Sequence, residues 1–285
     1  MKLQILSDLH MESPRAYDFY EIKPSAPHLA LLGDIGCVSH PGYLDFLTAQ
    51  LAQFRTVFHL LGNHEPYGST WDEAIKTLRA FQEQNRQERA RLPSPESDGI
   101  GEYVLLDRDE FHLPGHNLTI LGCTLFSDFP TESTDDVSFG LNDFFRIGGW
   151  TVEQHVEAHR RDVAWLNERV ADIARESPGR RVVVLMYHSP TVGARTVNPR
   201  FAASKISSGF ATDLSGEECW RAENVVLWAF GHTHYNFDRF HDWDTGKLVY
   251  SNQRGYYFAQ AAGFLEEDMV DLSDLTGEQT PLLDL

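Results

Sequence analysis

Short apolar runs that end in a loop carrying Asp, Asn or His recur along the whole chain, and this limits the available folds more than any other feature. Lys2 to Leu6, His28 to Leu32 and Thr56 to Leu61 each have the length and composition of a strand. Each gives way to such a loop and then to a helical pattern, a βαβα opening that predicts an α/β fold. Thr70-Trp71-Asp72-Glu73 fits a capping box, and Ala74, Leu78 and Phe81 continue it as an apolar stripe. Thr151-Val152-Glu153-Gln154 opens a second helix. Its stripe is Val152, Val156, His159, Val163, Leu166, Val170 and Ile173, one face of an α-helix, with His159 as a packed histidine. Later strand-like runs are Asn117 to Cys123, Arg181 to Met186, Val225 to Phe230 and Lys247 to Tyr250. Leu92-Pro93-Ser94-Pro95 reads as a surface break. No repeat or Pro/Gly/Ser linker divides the chain, so a single domain is expected over 1–262. Residues 263–285 hold seven acidic side chains and no basic one, which predicts a solvated acidic C-terminal tail.

Residues able to do chemistry gather where these strands end, the place where open α/β sheets form ligand crevices. Asp8-Leu9-His10 follows the first strand, Gly33-Asp34 the second and Gly62-Asn63-His64-Glu65 the third. His188 ends the apolar run through Met186, and Gly231-His232-Thr233-His234 directly follows Val225 to Phe230. In an extended chain, residues two apart point the same way, so Asp8 and His10 could reach one metal together. Singly, each cluster has a bland reading: a turn Asp, a loop, a hydrogen-bonded histidine at a strand end. Two imidazoles behind Gly231 are harder to dismiss, because burying them without partners is costly. All five together supply hard oxygen and imidazole donors in the number and mixture that two divalent transition metals require.

In this order, the set resembles the signature of the calcineurin-like metallophosphoesterase superfamily, from Asp8 to His234. Leu121 to Phe126, Asn142 to Ile147, Asn198 to Ala202 and Asn252 to Tyr256 are similar to stretches of a branch of predicted phosphoesterases from bacteria and fungi. The resemblance implies a four-layer α/β/β/α sandwich of two mixed sheets flanked by helices. It also implies a binuclear hydrolase of phosphoric esters, a phosphodiesterase or phosphatase working through a metal-bridging hydroxide. The ions would be two divalent transition metals drawn from Mn, Fe, Zn, Ni or Co. One would be held by Asp8, His10, Asp34 and His234, the other by Asp34, Asn63, His188 and His232, with Asp34 shared. His64 would stay off the metals and protonate the leaving group or stabilise the transition state. Two departures stand out. Tyr187-His188 replaces the paired histidines of many relatives, and Ile35-Gly36-Cys37 follows Asp34 without a further charged residue. Cys37 reads as a small buried thiol. The long connections Ser127 to Gly149 and Pro190 to Gly216 are expected to line the substrate, with Arg146 and Arg200 as candidates for a phosphate contact. The competing expectation is a protein-binding scaffold that keeps the fold without catalysis; the complete set of liganding residues argues against it.

Charge narrows the partners. Lys and Arg number 24 against 42 Asp and Glu, a formal net charge of −18. Such a surface repels long nucleic acids and anionic membranes. Two divalent ions beside Asp8 and Asp34 would still leave a locally positive centre, so a small phosphate ester is the expected partner. Three scattered cysteines, an N-terminal strand in place of a signal peptide and the lack of a long apolar run predict a reduced, cytoplasmic protein.

Overall fold

The computed structural model describes residues 1–94, 99–201 and 203–276. Pro95 of the surface break, Ala202 and residues 277–285 lie outside the described residues. In chain order the elements begin with β1 (Lys2–Leu6), β2 (His28–Leu32), α1 (Tyr43–Leu51), β3 (Thr56–Leu60), α2 (Trp71–Ala90), β4 (Glu102–Leu105), β5 (Asp109–His112) and β6 (Leu118–Cys123). The middle of the chain forms α3 (Thr134–Gly140), α4 (Asp143–Arg146), α5 (Val152–Glu176), β7 (Arg181–Met186), α6 (Glu218–Arg221) and β8 (Val225–Phe230). It closes with β9 (Phe240–His241), β10 (Leu248–Ser251), β11 (Gly255–Tyr256), β12 (Ala259–Gln260), β13 (Met269–Asp271) and α7 (Leu272–Thr276).

Two mixed sheets result. The first has the order β13, β1, β2, β3, β4, with β1 to β4 parallel and β13 antiparallel to β1. The second has the order β5, β6, β7, β8, β10, β9, with a parallel centre and antiparallel edges. Alternation along each strand divides its side chains between two layers. Leu3, Ile5, Ala30, Leu32, Phe58 and Leu60 of the first sheet meet Ile120, Val183, Leu185, Leu227 and Ala229 of the second. On the outer face of the first sheet, Leu29, Leu31 and Val57 pack with Phe46 and Leu47 of α1 and Leu78 of α2. On the outer face of the second, Val182, Val184, Met186 and Trp228 pack with Leu166, Val170 and Ile173 of α5. This is the α/β/β/α sandwich anticipated above.

Three expectations need adjusting. The acidic tail does not begin at 263: Phe264 packs on the first core, β13 pairs with β1 along Lys2 to Gln4, and Leu272 is buried. Val270 of this edge strand and Leu272 at the start of α7 join the central layer. Leu61 leaves the β3 ladder, and its carbonyl accepts from the Thr124 hydroxyl at 2.8 Å. The buried face of α5 is wider than the stripe at its N-terminal end: His155 and Asp162 are buried beside Val152, Val156 and Val163, which are half-buried against apolar clusters. There the helix meets loop backbone that needs acceptors. Ser127 N donates to His155 Nε2 at 3.1 Å and Leu125 N to Asp162 Oδ2 at 2.8 Å.

Candidate metal centre

Asp8 and His10 follow β1, Asp34 follows β2, and Asn63 and His64 follow β3; His188 follows β7, and His232 and His234 follow β8. Strands of both sheets thus deliver residues to one edge, where the two layers open toward solvent. The chain there is not extended. Asp8, His10, Asp34, His232 and His234 all adopt left-handed backbone, with φ of 55, 48, 52, 69 and 47°. The idea that Asp8 and His10 share one side of an extended chain is therefore corrected: each sits in a left-handed turn. Left-handed backbone costs a non-glycine residue roughly 1 kcal/mol or more, so neighbours must hold it. Asp8 N donates to the Gly33 carbonyl at 3.0 Å and His10 N to the Asp34 carbonyl at 2.9 Å. Glycine is required where loops cross. A Cβ at Gly62 would collide with Asp34 Oδ1, and one at Gly231 with Ser7 Oγ and Asp8 Oδ2.

The imidazoles are oriented alike. His10 Nδ1 lies 3.1 Å from Glu12 Oε1, His64 Nδ1 2.8 Å from the same oxygen, and His188 Nδ1 3.3 Å from the Thr124 carbonyl. Facing pure acceptors, these Nδ1 atoms carry protons; His64 holds a second proton on Nε2, whereas in His10 and His188 Nε2 is left as the free lone pair. His232 reaches the same state through Tyr187, whose hydroxyl donates to Asn63 Oδ1 at 2.6 Å and accepts from His232 Nδ1 at 2.7 Å. The Asn63 amide is fixed from its other end, where Nδ2 donates to Tyr67 Oη at 2.8 Å and Asp143 Oδ1 at 2.7 Å. The freed atoms converge. His10 Nε2 is 2.9 Å from His234 Nε2 and 3.7 Å from Asp34 Oδ2, and Asp8 Oδ1 is 3.2 Å from His234 Nε2. The His188 and His232 rings lie 4.4 Å apart.

Several of these groups have no use for their lone pairs within the protein. Asp8 Oδ1, His188 Nε2 and His232 Nε2 are buried without a hydrogen-bond partner. Asp8, His10 and His234 form one cluster able to hold a cation, and His10, Asp34 and His64 form another. Electrostatics agree. Burial, together with the neighbouring Glu65 and Asp8 carboxylates, pushes Asp34 well above the usual carboxylate range although His64 pulls it down. Burial pushes His188 far down and His232 down to about 3, the neutral state a ligand needs. Burial also lowers His10, whereas His64 is raised to about 9 because Asp34 and Glu12 outweigh burial. A buried array of carboxylates and neutral imidazoles with unspent lone pairs fits divalent cations.

The model of the calcineurin-like phosphoesterase family matches residues 1–236. The chain belongs to this family. An uncharacterized protein of Acanthamoeba polyphaga mimivirus is 23% identical over 272 residues, covering 89% of this chain and 91% of that one. The solved structure of a phosphopantetheinyl hydrolase from Mycobacterium tuberculosis has the same fold. It aligns with a TM-score of 0.58 at 16% identity, over 90% of this chain and 89% of that chain. Metal-dependent hydrolysis of phosphate esters is the chemistry of calcineurin-like phosphoesterases. Among the described residues, no helix is long and apolar enough to cross a membrane.

Beside the cluster, a cavity of about 570 Å³ is lined by Asp34, Asn63, His64, His232 and His234 on one side and by the two long connections on the other. A hollow of about 610 Å³ along α2 contains no histidine. Arg146 and Arg200 are exposed, and neither lines the cavity at the metal centre. Arg146 instead lies 5.1 Å from the centre of the Tyr67 ring, and the connection expected to bring Arg200 to the substrate places Phe201, not Arg200, against the cavity. Cys37 packs with Tyr67 and Ile147, and burial pushes its thiol up to about 12, so it is inert packing.

Sequence reasoning missed four contributors. Glu12 joins His10 to His64, and burial fails to raise its carboxyl because both imidazoles hold it well below the ordinary range. Glu65 accepts from the backbone N–H of Asp34, Ile35 and Gly62 at 2.8 to 3.0 Å, fixing two loops at once. Tyr187, noted only as a departure, links Asn63 to His232. Tyr256 stacks on His10 at 4.0 Å, with its hydroxyl 3.2 Å from His64 Nε2. The available signals were a Glu two residues past His10, a Glu directly after His64 and the Gln253-Arg254-Gly255-Tyr256 run. In that run, Gln253 accepts from His234 N at 2.6 Å and Arg254 donates to the Leu9 carbonyl at 2.8 Å.

Proposed function

We propose that the protein is a binuclear metal-dependent hydrolase of small phosphoric esters, acting on a phosphodiester or a phosphomonoester. The observation that carries this reading is the set of buried, unpartnered donor atoms, Asp8 Oδ1, His188 Nε2 and His232 Nε2, beside a ligand-sized cavity whose lining includes His232, Asp34, Asn63 and His234. Asp8, His10, Asp34 and His234 would hold one cation, and Asp34, Asn63, His188 and His232 the other. When bound, the pair would lower the pKa of a water near neutral pH and take up charge developing on the phosphoryl oxygens.

The chain's own residues supply the rest. Glu12 fixes the His64 ring by Nδ1, so Nε2 faces the cavity 3.7 Å from Asp34 Oδ2. From there it can give a proton to the departing ester oxygen, a step that general acids accelerate by about 10²- to 10⁴-fold. Tyr187, Thr124 and Glu12 keep His232, His188 and His10 in the Nε2-free tautomer. The test is metal counting on protein reconstituted with Mn, Fe, Zn, Ni or Co, with hydrolysis of bis(p-nitrophenyl) phosphate and p-nitrophenyl phosphate followed alongside. Two ions per chain and turnover of at least one ester are expected. Full metal loading without turnover would leave the scaffold reading in its place.

A further inference from the structure

The cavity at the metal centre has two chemically unlike walls. One carries the candidate ligands Asp34, Asn63, His232 and His234, the Asp143 carboxylate and Phe210, which stacks on His232; the other is formed by Leu141, Val192, Val197, Phe201 and Ile206. Polar groups on this second wall are neutral, namely Asn142, Asn198 and three serines of the 204–208 loop. Among the described residues, no Lys or Arg lines the cavity. Phe201 and Val192 stay 59 and 50% exposed, so this apolar wall reaches the mouth. At about 570 Å³ the space is several times what a phosphoryl group needs and falls in the range of pockets for organic ligands.

We infer that the substrate's phosphate carries an uncharged, mainly apolar organic group several carbons long, bound against Phe201, Val192, Val197 and Ile206. This inference rests on the phosphoesterase reading, since the metal centre is what fixes the phosphoryl end. The argument is one of complementarity. A second anionic group on the substrate, reaching past the metal centre and His64, would meet apolar side chains and neutral polar groups with no Lys or Arg to pair it, inside a protein of net charge −18. An alkyl or amide-containing group instead displaces water from the apolar wall, and its neutral polar atoms find Asn142, Asn198 and the serines. Nucleoside polyphosphates and sugar bisphosphates are the substrates this wall disfavours.

Phosphonates test this without turnover, because their carbon–phosphorus bond is not an ester. Binding of methylphosphonate, hexylphosphonate and 5-carboxypentylphosphonate to the metal-reconstituted full chain can be compared by calorimetry. Hexylphosphonate should bind at least about tenfold tighter than methylphosphonate, given the stabilisation per buried methylene, and about tenfold tighter than its carboxyl-ended analogue. Affinities within twofold of one another, or a preference for the carboxyl-ended ligand, would overturn the inference while leaving the phosphoesterase reading intact. Phe201→Asp and Val192→Asp, both at exposed positions, should remove most of the hexyl advantage. Phe201→Lys should tighten the carboxyl-ended ligand about fivefold. Indifference of that ligand to the new lysine would place the chain elsewhere and sink the assignment. If metal-loaded protein binds none of the three phosphonates, the phosphoesterase reading itself fails, and this inference with it.

Discussion

The two halves of the proposed metal centre differ in chemistry. The half built mainly on the first sheet brings together Asp8, His10, Asp34 and His234, with Glu12 behind His10. The half on the second sheet offers His188 and His232, with Asn63 reaching across from β3, and it borrows Asp34 for its charge. One half is anionic and partly open, with the His234 side chain 27% exposed. The other is neutral and closed, its imidazoles pushed down by burial and by neighbouring imidazoles. Two carboxylates attract a divalent cation more strongly than one. On the proposed ligand sets the first half should therefore fill first and empty last, and Asp34 would supply the only carboxylate of the second.

Asp34→Asn should give the largest effect, because it removes charge from both halves. Metal analysis should find the second site empty and the first weakened, with turnover below about one-thousandth of wild type. If this variant kept two tightly held ions, the two halves would be independent and the comparison would break. His64→Gln should come next, costing about 10²- to 10³-fold in kcat with both ions retained. Loss of one ion would instead move His64 into the ligand set, as its closeness to His10 and Asp34 allows. Glu12→Gln should cost about ten- to a hundredfold, mostly in kcat, since the amide still accepts from one ring while surrendering its charge. A change confined to KM would mean that Glu12 does not position His64.

How much of this could be read from the sequence depends on how local each signal is. Parallel strands announce themselves through runs such as Val182 to Met186, and the ligands through Gly-Asp, Asn-His and Gly-His-Thr-His clusters at their ends, so fold and donors were legible. What holds them was less so. Glu65 was quoted with its motif yet given no role, because accepting N–H groups from Asp34, Ile35 and Gly62 depends on two loops meeting. Strand β13 was hidden by acidic neighbours that dominate its composition, although Val270 and Leu272 carry the apolar alternation. On α5 the apolar stripe was legible, and Val152, Val156 and Val163 pack on apolar clusters as it predicts; what periodicity could not show is that His155 and Asp162 are buried beside it to accept from loop backbone.

Support behind the two halves differs as well. Behind the second, Asp162 pairs with Arg108 at 2.7 Å and holds Leu125 N. Behind the first runs a chain of neutral groups, in which Tyr103 Oη donates to His59 Nδ1 at 2.7 Å, His59 Nε2 donates to Tyr43 Oη at 3.1 Å, and Tyr43 donates to Glu65 at 3.2 Å. Burial pushes His59 down to about 3. The native state therefore binds fewer protons than the unfolded chain between pH 6.5 and that value, and stability present above pH 6.5 is lost as the pH falls. The slope is about 1.4 kcal/mol per pH unit for this one group. Urea unfolding at pH 7.5 and pH 5 should show His59→Phe losing about 2 kcal/mol less than wild type over that interval, although it starts from a lower stability. Equal losses would show that His59 titrates as freely in the folded protein as in the unfolded one.

The smallest effects are expected at the arginines. Arg200 is exposed, on a segment whose Asn198 and Phe201 face the cavity while Arg200 does not. Arg146 is committed to the Tyr67 ring, whose hydroxyl donates to Asp143 beside Asn63. Arg200→Ala should therefore leave KM within about twofold, as for an exposed charge away from the bound phosphate. Arg146→Ala should act weakly through Tyr67 and Asn63, shifting kcat by a small factor and KM hardly at all. A rise in KM of tenfold or more for either variant would mean that the phosphate is gripped from the solvent side by a side chain that swings in. The anionic half of the centre would then have a cationic counterpart that the comparison of the two halves omits.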